Sequence, residues 1–134
     1  MLGMRSGVVL TALLLACGCG GGSADDEVRS AWEEASHAAA GGEGTKFCSM
    51  VTAEGKRTIA ARTKLSCEDG VRLLSSRLSA DDKAAIRGAA ITKVEVDGAD
   101  ATVSYDVNPA LTKVGFTGVT RLQEVNGRWL LRGV

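Results

Sequence analysis

The spacing of apolar positions changes twice along the chain and divides it into three stretches. Residues 8–16 form an uninterrupted apolar run, Val-Val-Leu-Thr-Ala-Leu-Leu-Leu-Ala. From residue 24 to about residue 88, apolar side chains recur every three or four positions, the signature of helices with one buried face. After Gly88 the period drops to two, the signature of strands with one face covered.

Within the helical stretch, Ser23 stands three residues before Asp26, and acidic residues at 25 to 27 suit the positive end of a helix dipole. A helix is predicted from Ala24 to about Ala40, with Val28, Ala31, Trp32, Ala35 and Ala39 as its apolar stripe and Gly41-Gly42 as its stop. A shorter helix follows over Thr45 to Val51, with Phe47, Met50 and Val51 inward. Thr52 caps a third, Ala53 to about Arg62, anchored by Ile59 and weakened by Gly55. Ser66-Cys67-Glu68-Asp69 opens a fourth with Val71, Leu74 and Leu78 on one face. Ser79 to Asp82 opens a fifth that ends at Gly88.

In the strand stretch, Val94 and Val96, then Ala101, Val103, Tyr105 and Val107, alternate with polar neighbours. Asp97-Gly98 lies between them as a hairpin signal, and Asn126-Gly127 plays that part between Val119 to Val125 and Arg128 to Val134. Asn108-Pro109 breaks the ladder, and Leu111, Val114 and Phe116 fit no clean period, so residues 108–117 are expected to form a loop leading into a strand. The predicted fold class is α+β, with N-terminal helices packed on an antiparallel β-sheet.

Length allows one small domain, and 45% hydrophobic with 24% charged residues describes a globular chain. Aromatics make up only 4%, so aliphatic side chains must fill most of the core. Basic and acidic residues balance at 16 each, and the signs are interspersed. A nucleic-acid partner is therefore not expected, because phosphate neutralisation needs a basic excess or stripe.

The first apolar run is too short to span a bilayer, which takes about 20 residues. With Arg5 before it and small residues after it, it reads as a secretory leader. Leu14-Leu15-Ala16-Cys17 resembles the lipobox of bacterial lipoprotein precursors. The resemblance implies cleavage before Cys17 and a diacylglyceryl thioether on its sulfur. Residues 1–16 would then be the signal peptide and 17–23 the lipidated cysteine with a Gly-rich tether that holds an exported domain, 24–134, to the outer face of a cell membrane. The alternative is an ordinary secretory leader in which Cys17 is incidental. Cys19 is a poorer lipid site, having no Leu three positions upstream, and it has no assigned role.

Cys48 and Cys67 remain. In a small exported domain such a pair is expected to be bridged, the compartment being oxidising. No metal site is expected, since His37 is the one histidine available to join two cysteines and zinc takes four ligands. A redox motif would need a Cys-x-x-Cys pair, which is absent. No cofactor is implied.

Helices followed by a hairpin with the centre Val94-Glu95-Val96-Asp97-Gly98-Ala99-Asp100-Ala101-Thr102-Val103, and a last strand reading Gly127-Arg128-Trp129-Leu130-Leu131, resemble the NTF2-like (cystatin-like, SnoaL-like) superfamily. Phe47-Cys48 and Ser66-Cys67 resemble small actinobacterial exported members. The resemblance covers roughly residues 24 to 134. It implies a curved sheet, a conical cavity between sheet and helices, and, in many members, pairing of two copies through the outer sheet face.

Trp32, Tyr105 and Trp129 are the candidate cavity-lining residues. Family enzymes place a carboxylate base with a Tyr or His partner in the cavity. Tyr105 and Asp106 point to opposite faces of one strand, however, and His37 and Asp100 form no evident pair with Tyr105. Catalysis is not supported. The expected function is a non-catalytic module that binds a small apolar ligand or an envelope protein; the rivals are a weak lyase or isomerase and a purely structural spacer.

Overall fold

The structure, a computed structural model, describes residues 23–133. The leader, Cys17, Cys19 and most of the tether lie outside these residues. Five helices come first: α1 (Ala24–Ala40), α2 (Gly44–Ser49), α3 (Ala53–Thr63), α4 (Cys67–Ser76) and α5 (Ala80–Arg87). Strands β1 (Ile91–Asp97) and β2 (Asp100–Tyr105), a short helix α6 (Pro109–Lys113), and strands β3 (Val119–Val125) and β4 (Arg128–Gly133) complete the order. The strands form one open antiparallel sheet in sequential order β1-β2-β3-β4. The α+β class expected from the change of period is therefore what the chain adopts.

Each long helix starts where a hydroxyl can satisfy a free backbone N–H. The side chains of Ser23, Thr52, Ser66 and Ser79 accept from the amides of Asp26, Gly55, Asp69 and Asp82. Ser79 and Asp82 form the one reciprocal box, the Asp82 carboxylate accepting from the Ser79 N–H at 2.9 Å. Asp69 turns instead to Arg72, 3.1 Å away.

Two turns depend on backbone angles that favour glycine or asparagine. Asn126 and Gly127 both have positive φ, 52° and 77°, and join β3 to β4 in a two-residue turn. Between β1 and β2 the turn sits one position later than the Asp97-Gly98 signal suggests. Asp97 pairs with Asp100, and Gly98, at φ 61°, occupies the first turn position.

Three expectations need correction. Residues 108–117 hold no loop-to-strand transition: Asn108 accepts from the Leu111 amide at 2.9 Å, Pro109 occupies the first helical turn, and one short helix buries Ala110 and Leu111. A single helical turn is too short to show a period. Val107 is outside the strand and 52% exposed, because β2 ends at Tyr105. Helix α2 begins at Gly44 and ends at Ser49, leaving Val51 to make a parallel bridge with Leu131.

Cys48 and Cys67 form a disulfide with their Cα atoms 6.1 Å apart, fastening α2 to the first residue of α4. The same two helices touch through backbone. A Cβ on Gly44 would stand 2.5 Å from the Glu68 carbonyl oxygen, so only glycine fits. Gly55 is similarly enclosed: a Cβ there would meet Val51 at 2.5 Å. The residue that weakens α3 as an isolated helix is what lets it pack. Ser75 of α4 donates to the Ala40 carbonyl at 3.0 Å and closes the helical layer onto the end of α1.

Candidate functional site

The helices cover one face of the sheet, and the question posed by Trp32, Tyr105 and Trp129 is whether a cavity lies between. Helix α1 presents Val28, Trp32, Ala35 and Ala39 on its buried face. From the sheet, alternation turns Ala101, Val103 and Tyr105 of β2, Thr120 and Leu122 of β3, and Trp129 and Leu131 of β4 toward the helices.

Trp32 and Tyr105 meet at the centre. Their rings lie 4.6 Å apart between centroids, and Phe116 closes on both edge-on at 6.0 and 6.1 Å. The opening these two residues were expected to line is occupied by their own rings. Trp32 is 1% exposed and Phe116 fully buried.

The polar atoms carried into this cluster satisfy each other. The Trp32 indole N–H donates to the Thr120 hydroxyl at 3.2 Å, and that hydroxyl donates to the Tyr105 oxygen, also at 3.2 Å. A buried indole or phenol without such a partner would cost about 1–3 kcal/mol. Thr120 thus joins α1, β2 and β3 through one oxygen. Sequence reasoning missed it and Phe116. The only available signal was that Thr120 shares a phase with Leu122.

Among the described residues, the buried polar side chains are Ser36, Ser75 and Thr120, none of them a carboxylate. Asp100, Asp106 and His37 are exposed. The acid–base pair of the lyase alternative, a carboxylate facing Tyr105, is not assembled. The described residues also gather no group of three or more His, Cys, Asp or Glu able to hold a metal ion.

Two spaces remain. One is an apolar slot of about 20 Å³ among α1 to α4, walled by Ala39, Phe47, Ile59, Val71, Leu74 and Val114. That is room for about one water molecule. The other is an open groove of about 460 Å³ on the outside, between the first half of α1 and the β3–β4 turn. Asp26, Glu27 and Glu34 stand on its helix side, Arg128 on its sheet side, and Met50 and Trp129 also line it. Trp129 thus borders this outer groove while its side chain, 6% exposed, belongs to the same buried core as Trp32 and Tyr105. Lys46 already engages Glu34 at 3.7 Å. Comparison with family models, curated proteins and solved structures finds no match for the chain.

Proposed function

We propose that the chain is the precursor of an exported lipoprotein, cleaved before Cys17, whose folded domain is a filled NTF2-like cone tethered to the outer face of a membrane. The domain works through its exterior, engaging an envelope protein and not an enclosed ligand. The observation that carries this reading is the buried Cys48–Cys67 disulfide in a chain that opens with an apolar run ending in Leu14-Leu15-Ala16-Cys17. These features are independent of each other, and both belong to an extracytoplasmic protein.

The exterior mode of action follows from volume. A drug-sized ligand needs roughly 300 Å³ or more of cavity, whereas the enclosed slot among the helices holds about 20 Å³. Seven residues from Cys17 bring the chain to Ser23, the cap of α1, so the Gly-Cys-Gly-Gly-Gly-Ser segment is the whole spacer between lipid and fold.

Metabolic labelling of producing cells with a tagged fatty acid tests the anchor. The parent and Cys19→Ala should carry the label and Cys17→Ala should lose it. A parent without label, or a label that survives Cys17→Ala, overturns the assignment.

A further inference from the structure

The two margins of the sheet are finished differently. At β4, the segment after α2 lies alongside: the Leu131 amide donates to the Met50 carbonyl at 2.8 Å, and the Thr52 amide donates to the Leu131 carbonyl at 2.9 Å. At the other margin, β1 pairs with β2 alone among the described residues. Its inward valines, Val94 and Val96, are only partly buried, while their β2 partners Val103 and Ala101 are buried.

The direction of the free backbone groups follows from the ladder. The Glu124 amide donates to the Ala99 carbonyl and the Tyr105 amide to the Gly118 carbonyl, so the odd-numbered residues of β2 bond toward β3. The even-numbered ones, Asp100, Thr102 and Ser104, therefore bond toward β1, to Asp97, Glu95 and Lys93. That leaves the amide and carbonyl of Val94 and Val96 facing outward.

On the outer face, Lys93 and Glu95 form an ion pair at 2.6 Å, and their β2 partners Ser104 and Thr102 carry no charge. Both charged side chains are more than half exposed. Opposite charges two residues apart on an edge strand make it self-complementary under a two-fold rotation centred between them, at Val94.

We propose that β1 is a homodimer seam, in which β1 of a second copy of this chain pairs antiparallel about Val94. Each Val94 bonds to its own copy, and Lys93 stands opposite Glu95 of the other chain. The Val94 pair is the bonded type. The Lys–Glu pairs are then the non-bonded type, in which Cα atoms approach to about 4.5 Å and side chains interact most closely. The register shift between Ile91 and Lys93 ends the seam on one side and the Gly98 turn ends it on the other. A lysine and a bulge are also what proteins place on an edge to prevent pairing. Here the lysine is matched by a glutamate in the position a two-fold contact requires, which a purely protective lysine would not need. The proposal does not depend on the lipid anchor.

Native mass spectrometry of the full chain over a range of concentrations, with every variant in the same detergent, tests it. The parent should show a concentration-dependent dimer. Lys93→Glu and Glu95→Lys should each weaken that dimer by about tenfold or more, since two attractive cross-strand pairs become repulsive. Mixing the two variants should restore a heterodimer near parental strength, an outcome that misfolding of either variant cannot mimic. Val94→Pro deletes an outward N–H while leaving every bond to β2, and it should abolish the dimer. A parent that stays monomeric throughout overturns the proposal, including the case in which the edge takes a strand from a different protein. So does a dimer that survives all three substitutions, as one through the outer sheet face would.

Discussion

The interior is held in two ways, one on the helical side and one on the sheet side. Among α2, α3 and α4, the close approaches are made by glycines: a Cβ on Gly44 would meet Glu68, and one on Gly70 would meet Thr63, at 2.5–2.6 Å. Small side chains allow helices to touch but bury little apolar area. That region carries the disulfide and the residual slot. Against the sheet, Trp32, Phe116, Leu122 and Leu131 are all at most 1% exposed, and the fastening is a tryptophan-threonine-tyrosine hydrogen-bond thread. Three of the five aromatic residues meet against the sheet, and the covalent link stands on the helical side, beside the buried Phe47.

The sharpest way to break this contrast is Trp32→Ala. It removes the ring shared by both aromatic neighbours and leaves the Thr120 hydroxyl without its indole donor. A loss of about 3–5 kcal/mol is expected in denaturant unfolding, much of a small domain's total stability. A loss below about 1 kcal/mol would mean that the cluster is not the centre of the fold.

Cys48→Ala with Cys67→Ala should cost roughly 3 kcal/mol, as expected for freeing a loop of this length. The two halves should respond unequally. Amides of α2 and α4 should lose hydrogen-exchange protection first, while those of β2 and β3 keep most of theirs. Uniform loss would erase the distinction between the regions.

Thr120→Val keeps the shape but leaves the Trp32 N–H and the Tyr105 hydroxyl without their partner. About 1–3 kcal/mol is expected, together with a change in Trp32 fluorescence.

The smallest effect lies at the surface. A hydrogen bond from the Lys113 ammonium, 2.8 Å away, and then the backbone N–H of Ser79 hold the Asp82 carboxyl below the usual aspartate range. A depressed carboxyl stabilises the fold above its unfolded-state value, and that contribution disappears as pH falls through the folded one. Asp82→Asn should therefore lower Tm at pH 7, with the difference closing below about pH 4. A difference independent of pH would point to the cap geometry and not to the charge.

What the sequence disclosed follows the range of each interaction. The hydroxyl caps at Ser23, Thr52, Ser66 and Ser79 act over three residues and were legible from spacing, as were the Asn126-Gly127 turn and the change of period near Gly88. The helix after Asn108 was not, because one turn gives too few positions to separate a period of 3.6 from noise. Nor was the filled interior. Trp32 and Thr120 are 88 residues apart, and nothing near either one says that a hydroxyl on β3 will meet the indole. Gly55 was legible as a poor helix former but not as a packing site, since its neighbour Leu131 comes from the last strand. The open margin at β1 became visible only when the sheet order placed β1 outside β2 and left Val94 half covered.

The intact mass of the protein, extracted from membranes and measured under native conditions, bears on the anchor and on the filled interior together. It should equal the chain from Cys17 with its lipid and one disulfide, or twice that mass, with no further small molecule retained. An unlipidated mass, or a stoichiometric adduct of drug-like size that survives gentle extraction, would contradict a tethered domain that acts through its exterior.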